Sequence, residues 1–121
     1  MRTHQELAEL AQLAADAARQ ETRSRFGRVA TEWKADGSPV TAADRAAERV
    51  LHGILTSAAP GYGFLGEEYG VTEPTGGDGG RQWVVDPIDG TIAYAAGIPL
   101  YSTLIGLLED GQPVVGVIDL P

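Results

Sequence analysis

The chain contains no cysteine, which excludes disulfides, zinc–thiolate centres and thiol nucleophiles together. It is also short of positive charge: nine lysines and arginines stand against seventeen aspartates and glutamates, a formal charge of −8. A nucleic acid or an anionic membrane needs a cationic face, so neither is an expected partner. Histidine is scarce, and His4 and His52 have no second histidine at ligand spacing, so both are read as ordinary surface or helix residues. No uncharged apolar run is long enough for a membrane span. The opening residues Met1 to Glu6 lead into an amphipathic pattern and not into the apolar stretch of a secretory signal. A cytoplasmic location is the resulting expectation.

What remains is a chain of 121 residues, 43% hydrophobic, enough for one globular domain with a modest core. Most of its acidic residues are read as a solvated surface. An acidic protein can still bind phosphate, provided metal cations or backbone N–H groups offset the repulsion.

Leu7, Leu10, Ala11, Ala14, Ala17 and Ala18 recur at helical spacing between Thr3 and Arg25 and predict an amphipathic helix whose alanine-rich face packs on its own sheet. Val29 to Lys34 is a candidate short strand, and Ala35 to Pro39 is turn chemistry expected to project as a loop. Thr41 fits a helix N-cap, with Asp44 at the far corner of a capping box. The helix is expected to run to about Ala58, with Ala46, Val50, Ile54 and Leu55 inward and Pro60-Gly61 as its stop.

Beyond Gly61 the pattern becomes short apolar runs, Tyr62–Gly66, Trp83–Asp86, Ser102–Leu108 and Pro113–Ile118, which predict strands. The glycine-rich residues 73–80 are expected to form a mobile surface loop, and Asp110-Gly111 is a hairpin signal. Two helices followed by a largely antiparallel sheet make an α+β arrangement. The apolar strand Val114–Ile118 runs almost to Pro121, so the surface that covers it is expected from outside these residues or from another copy.

Asp86-Pro87-Ile88-Asp89-Gly90-Thr91 carries the chemistry. An apolar strand delivers Asp86, a proline turns the chain, and Asp89 follows three residues on. Carboxylates so close repel, raise one pKa or bind a cation, and a hard divalent ion such as magnesium suits their oxygens. Gly90 permits close backbone approach, and a helix starting there would offer free N–H groups to an anion. Gly66-Glu67-Glu68 also lies where an apolar run meets a turn. Glu67, Asp86 and Asp89 together could hold two metal ions around one phosphate, which activates a water without a covalent nucleophile.

In order and spacing, Gly66-Glu67-Glu68, Trp83 to Thr91, Gly97-Ile98-Pro99 and Gly116-Val117-Ile118 resemble the inositol monophosphatase superfamily. Lys34 and Gly37 to Asp44 resemble its early lysine loop and threonine–aspartate helix start. The resemblance implies Glu67, Asp86 and Asp89 as metal ligands with the Ile88 carbonyl, and magnesium as the metal. It implies Asp44 and Thr91 as the groups that orient the attacking water, with Glu67 also catalytic. It implies the Gly90 and Thr91 N–H groups as the phosphate holders, Glu68 beside the metals, and Lys34 on a mobile loop that closes over the site. The implied fold is the first half of a layered αβαβα sugar-phosphatase domain, so that residues 1–121 form its amino-terminal metal-binding half. The family's tryptophan–aspartate motif lies outside these residues.

Pro99 to Leu107 with Gly116 to Pro121 is most similar to the bacterial histidinol-phosphatase branch. The implied partner is a small phosphorylated metabolite: histidinol phosphate, with inositol monophosphate or a related sugar phosphate as the alternative. A homodimer is implied for the full-length form. Ile92-Ala93 replaces a threonine–asparagine pair of many inositol-type members, which reads as a change of specificity. An alternative of another class is an inactive fragment that serves only as a metal-binding or structural module.

Simpler readings stand beside these. Asp86 and Asp89 could cap a turn, Asp44 and Thr91 could cap helices, and Glu68 and Lys34 could be surface charges. Trp33, Trp83 and Tyr94 are expected in the core or as pocket wall.

Overall fold

A computed structural model describes residues 2–76 and 80–121. Its first helix, α1, spans His4–Arg25, and the Thr3 hydroxyl caps it by accepting the Glu6 N–H at 3.1 Å. Leu7, Ala11, Ala14, Ala15, Ala18 and Thr22 form the buried stripe. Their small side chains let α1 lie against the second helix, α2, Ala42–Ala58.

Between the helices, β1 (Glu32–Trp33) and β2 (Pro39–Val40) form a short antiparallel pair. The strand expected over Val29–Lys34 shrinks to two residues, and Trp33, expected in the core or as pocket wall, is 64% exposed. A two-stranded ribbon has no second layer against which that indole could pack. The turn forms as expected: the Asp36 carboxylate accepts the Ser38 N–H at 2.9 Å, and Gly37 N–H donates to the Lys34 carbonyl at 2.9 Å.

The capping box of α2 is complete. Thr41 Oγ1 accepts from the Ala43 and Asp44 N–H groups, while Asp44 Oδ2 accepts the Thr41 N–H at 2.8 Å and its hydroxyl at 2.7 Å. Ala46 and Leu55 are buried as expected, together with Ala43, Ala47 and Leu51, while Val50 and Ile54 sit half-buried at the edge of the core.

The main sheet has the order β4-β3-β5-β6-β7, built from β3 Gly63–Gly66, β4 Gly70–Thr72, β5 Arg81–Asp89, β6 Ser102–Glu109 and β7 Gln112–Asp119. The fold is α+β, with helices on a mixed, largely antiparallel sheet. Phe64, Trp83, Val85, Ile105 and Leu107 fill the space beneath the helices. Asp110 and Gly111 both take positive φ, 50° and 78°, so the predicted hairpin closes with the backbone twist that two-residue turns favour. At the start of β5, the buried Arg81 donates to Glu109 Oε2 at 2.7 Å, to the Tyr62 hydroxyl at 2.8 Å and to the Arg2 carbonyl at 2.9 Å.

One pairing is parallel: β3 runs alongside β5, with Leu65 opposite Val84. Of the loop expected over 73–80, residues 77–79 lie outside the described residues. Its first part is held, because the Thr75 and Gly76 N–H groups both donate to the Gly61 carbonyl, at 2.8 and 3.0 Å.

Candidate active site

Two parallel strands end on the same side of a sheet, and that sets the geometry of the site. Carrying the register of β3 and β5 two residues past Leu65 and Val84 brings Glu67 level with Asp86. The segment Asp86–Asp89, expected as a proline turn, instead remains in β5 with a bulge. Asp86 pairs with Leu104 and Asp89 with Ser102, so one extra residue is accommodated. Pro87 suits a bulge because it has no N–H to leave unpaired. The Pro87 carbonyl accepts the Thr103 hydroxyl at 2.8 Å, and Ile88 turns inward to pack with Ala43 and Tyr94.

Gly90 follows with φ of 93°, and a Cβ there would lie 2.8 Å from the Leu100 carbonyl, so only glycine fits both the conformation and the space. The short helix α3, Thr91–Ala95, starts directly after it. The Thr91 hydroxyl lies 3.1 Å from Asp44 Oδ1 and 3.1 Å from the Ile88 carbonyl. Buried Tyr94 donates to the Thr22 carbonyl at 2.7 Å and ties α3 to α1. Burial, aided by Tyr101 and Asp44, pushes the Tyr94 phenol up to about 12.

These elements enclose a cleft of about 320 Å³ lined by the carboxylates Asp44, Glu48, Glu67, Glu68, Asp86 and Asp89, with Gly90 and Thr91 at one end. Burial, and then repulsion from Asp89 and Asp44, holds the Asp86 carboxyl above its usual range, against a backbone hydrogen bond at Ile88 that pulls the other way. Ile92 also lines the cleft and is 63% exposed.

Among the described residues Lys34 is the one basic side chain on the wall. Its ammonium lies 3.1 Å from Glu67 Oε2 and 3.0 Å from Glu68 Oε1. Burial draws its pKa down, but the hydrogen bonds to Glu68 and Glu67 outweigh that and leave it raised. Arg45 pairs with Glu32, fastening the β1–β2 ribbon to α2.

The donor chemistry fits a hard divalent cation: every candidate ligand is oxygen, and the carboxylates outnumber the cations around them. As arranged, no three acidic or histidine groups among the described residues converge at metal-ligand distance. Glu67 and Glu68 are drawn instead to Lys34. The expected residues Asp44, Glu67, Asp86, Ile88, Asp89, Gly90 and Thr91 all line this one cleft.

Glu48 escaped sequence reading. It is fully buried, and its Oε2 accepts from the Glu68 and Tyr69 N–H groups at 2.9 and 2.8 Å. The available signal was its spacing: a glutamate one helical turn after Asp44, between Ala47 and Leu51 on the buried face of α2.

Residues 3–121 match the inositol monophosphatase family, and the chain belongs to that family. It is similar to the histidinol-phosphatase of Mycobacterium tuberculosis, 47% identical over 114 residues that make up 93% of this chain and 43% of that protein. It is also similar to the inositol-1-monophosphatase of Mesorhizobium japonicum, 48% identical over 88 residues, 73% of this chain and 32% of that one. Among solved structures, the extragenic suppressor protein suhB from Bartonella henselae superposes with a TM-score of 0.85 at 32% identity, over 96% of this chain and 45% of that one. The chain thus spans less than half the length of these relatives. Among the described residues no helix is long and apolar enough to cross a membrane.

Proposed function

We propose that this chain is the metal-binding part of a magnesium-dependent phosphate monoesterase that attacks its substrate directly with water, and that its substrate is histidinol phosphate. The observation that carries the reading is the single cleft in which Glu67, Asp86 and Asp89 meet Gly90 and Thr91. Six carboxylates would repel a phosphate, so an anionic substrate requires added positive charge there. Bound magnesium would supply that charge and polarise both a water and the phosphoryl oxygens.

In this reading Glu67, Asp86, Asp89 and the Ile88 carbonyl hold the metal. Thr91, with its hydroxyl between Asp44 and the Ile88 carbonyl, orients the attacking water with Asp44 as acceptor. The Gly90 and Thr91 N–H groups receive phosphate oxygens. Lys34 on the β1–β2 turn closes the cleft from above.

Histidinol phosphate is preferred because the similarity to the histidinol-phosphatase runs over more of the chain than the similarity to the inositol enzyme. Inositol monophosphate is the second reading. We place the enzyme in the cytoplasm and expect a homodimer for the full-length form. The other reading is an inactive module that binds metal weakly, since no three acidic or histidine groups among the described residues converge at metal-ligand distance. Phosphate release from histidinol phosphate and inositol monophosphate, with and without magnesium, tests all three. Faster release from inositol monophosphate would overturn the substrate assignment, and no release from either would reject the phosphatase reading for this chain. Magnesium titration by calorimetry then separates a weak metal binder from a chain with no site.

A further inference from the structure

We infer that Glu48 is a positioning residue that holds the Glu67–Glu68 turn at the height of Asp86 and Asp89; the inference rests on the phosphatase reading above. Helix α2 presents three side chains at successive turns: Asp44 and Glu48 line the cleft, and His52 holds the residue that follows the Glu67–Glu68 turn. Asp44 meets the Thr91 hydroxyl at 3.1 Å. Glu48 Oε2 takes the N–H groups of Glu68 and Tyr69. His52 stacks on the Tyr69 ring, with centroids 4.0 Å apart and planes 7° from parallel.

Because Glu48 acts on backbone N–H groups, it fixes the path of the turn and leaves the Glu67 and Glu68 side chains free to face the cleft. The adjoining glycine makes room for that contact. A Cβ at Gly66 would lie 2.5 Å from Glu48 Oε2 and 2.7 Å from its Cδ. The carboxylate is fully buried, has no ion-pair partner among the described residues, and its Oε1 has no hydrogen-bond partner there. A buried carboxyl group with one oxygen unpartnered adds little to stability by itself, since an apolar side chain packs there without that cost. Its two hydrogen bonds to the turn are what it contributes.

The full chain carrying Glu48→Gln tests this, read by magnesium calorimetry, thermal unfolding and amide exchange at Glu68 and Tyr69. Gly66→Ala is the second variant, because its Cβ displaces the Glu48 side chain while leaving the residue itself unchanged, and it keeps the inference falsifiable if Glu48→Gln does not fold. The expected result is magnesium affinity weakened by about 10–100-fold, the range seen when groups that orient metal ligands are lost. Exchange at the two amides should speed up selectively. In turnover, added magnesium should restore much of kcat while KM for the phosphate ester stays put. A lower unfolding temperature with unchanged magnesium affinity, or unchanged exchange at both amides, overturns the inference. An unsubstituted chain that binds no magnesium counts against the phosphatase reading instead, and the exchange measurement still decides whether Glu48 anchors the turn.

Discussion

The Thr91 hydroxyl sits equidistant, at 3.1 Å, from Asp44 Oδ1 and the Ile88 carbonyl, so a single proton links the start of α2, the bulge of β5 and the start of α3. Asp44 reaches it with one oxygen while the other closes the Thr41 capping box. Capping and orientation of Thr91 are therefore done by one carboxylate.

Replacing that hydroxyl separates the two jobs. Thr91→Val keeps the shape and removes the proton, and should lower turnover by about 100-fold, the lower end for loss of a group that manages a reacting proton. Stability should fall by only about 1 kcal/mol, the typical net value of one hydrogen bond. Thr91→Ser should recover most of the activity. Steady-state kinetics with urea unfolding of both variants checks this, and equal loss in the serine variant would contradict the role.

Asp89→Asn removes a proposed metal ligand. Turnover should drop by more than the ~10–100-fold that loss of a merely orienting group costs. Without magnesium the variant should be as stable as the parent or more so, because repulsion on Asp86 is relieved while the burial of Asp86 remains. Calorimetric titration and thermal unfolding with and without metal give the comparison, and undiminished turnover would remove Asp89 from the site.

Gly90→Ala should be costly for a different reason. With φ at 93° and the Leu100 carbonyl 2.8 Å from the new Cβ, the chain must shift or strain by roughly 1–3 kcal/mol. Denaturant unfolding should show that loss, and phosphate release should fall with it because the Thr91 N–H moves too.

Acid should weaken the end of the sheet far from the cleft. A hydrogen bond from Arg81, and then one from His4, holds the Glu109 carboxyl below its usual range against the opposing effect of burial. A depressed carboxyl pKa adds stability above the ordinary carboxylate value and loses it as pH falls through the folded-state value. Thermal midpoints measured down the acid range should decline there. Glu109→Gln should start lower at neutral pH and flatten that limb, and a parallel decline in both proteins would assign the acid loss elsewhere.

Much of this could be read from local chemistry. Thr41 and Asp44 announce the α2 cap, Asp110-Gly111 announces its turn, and the two acidic segments mark the ends of β3 and β5 because short apolar runs stop there. The parallel pairing of β3 with β5 was not legible, since it depends on which strand edges meet and no single residue encodes that. The bulge at Pro87 resembled a turn, because both use a proline to interrupt a ladder. Trp33 was misplaced because aromatic character marks burial only where a second layer exists. Glu48 was hidden by its own charge, which reads as a solvated face until the Glu68 and Tyr69 N–H groups are seen pointing at it.

The side-by-side alignment of β3 and β5 also bears on how the chain acquires its shape. The β6–β7 ribbon closes through two residues and the helices form from neighbours, whereas β3 and β5 are joined across fourteen intervening residues, 67–80, with β4 among them. Loop closure of that kind is slower than a tight hairpin. The mutually repelling acids would then be brought together late, once a hydrophobic scaffold exists to restrain them. Mutational rate analysis would reveal this as fractional values near zero for Leu65 and higher ones for Leu107, and the reverse order would refute it.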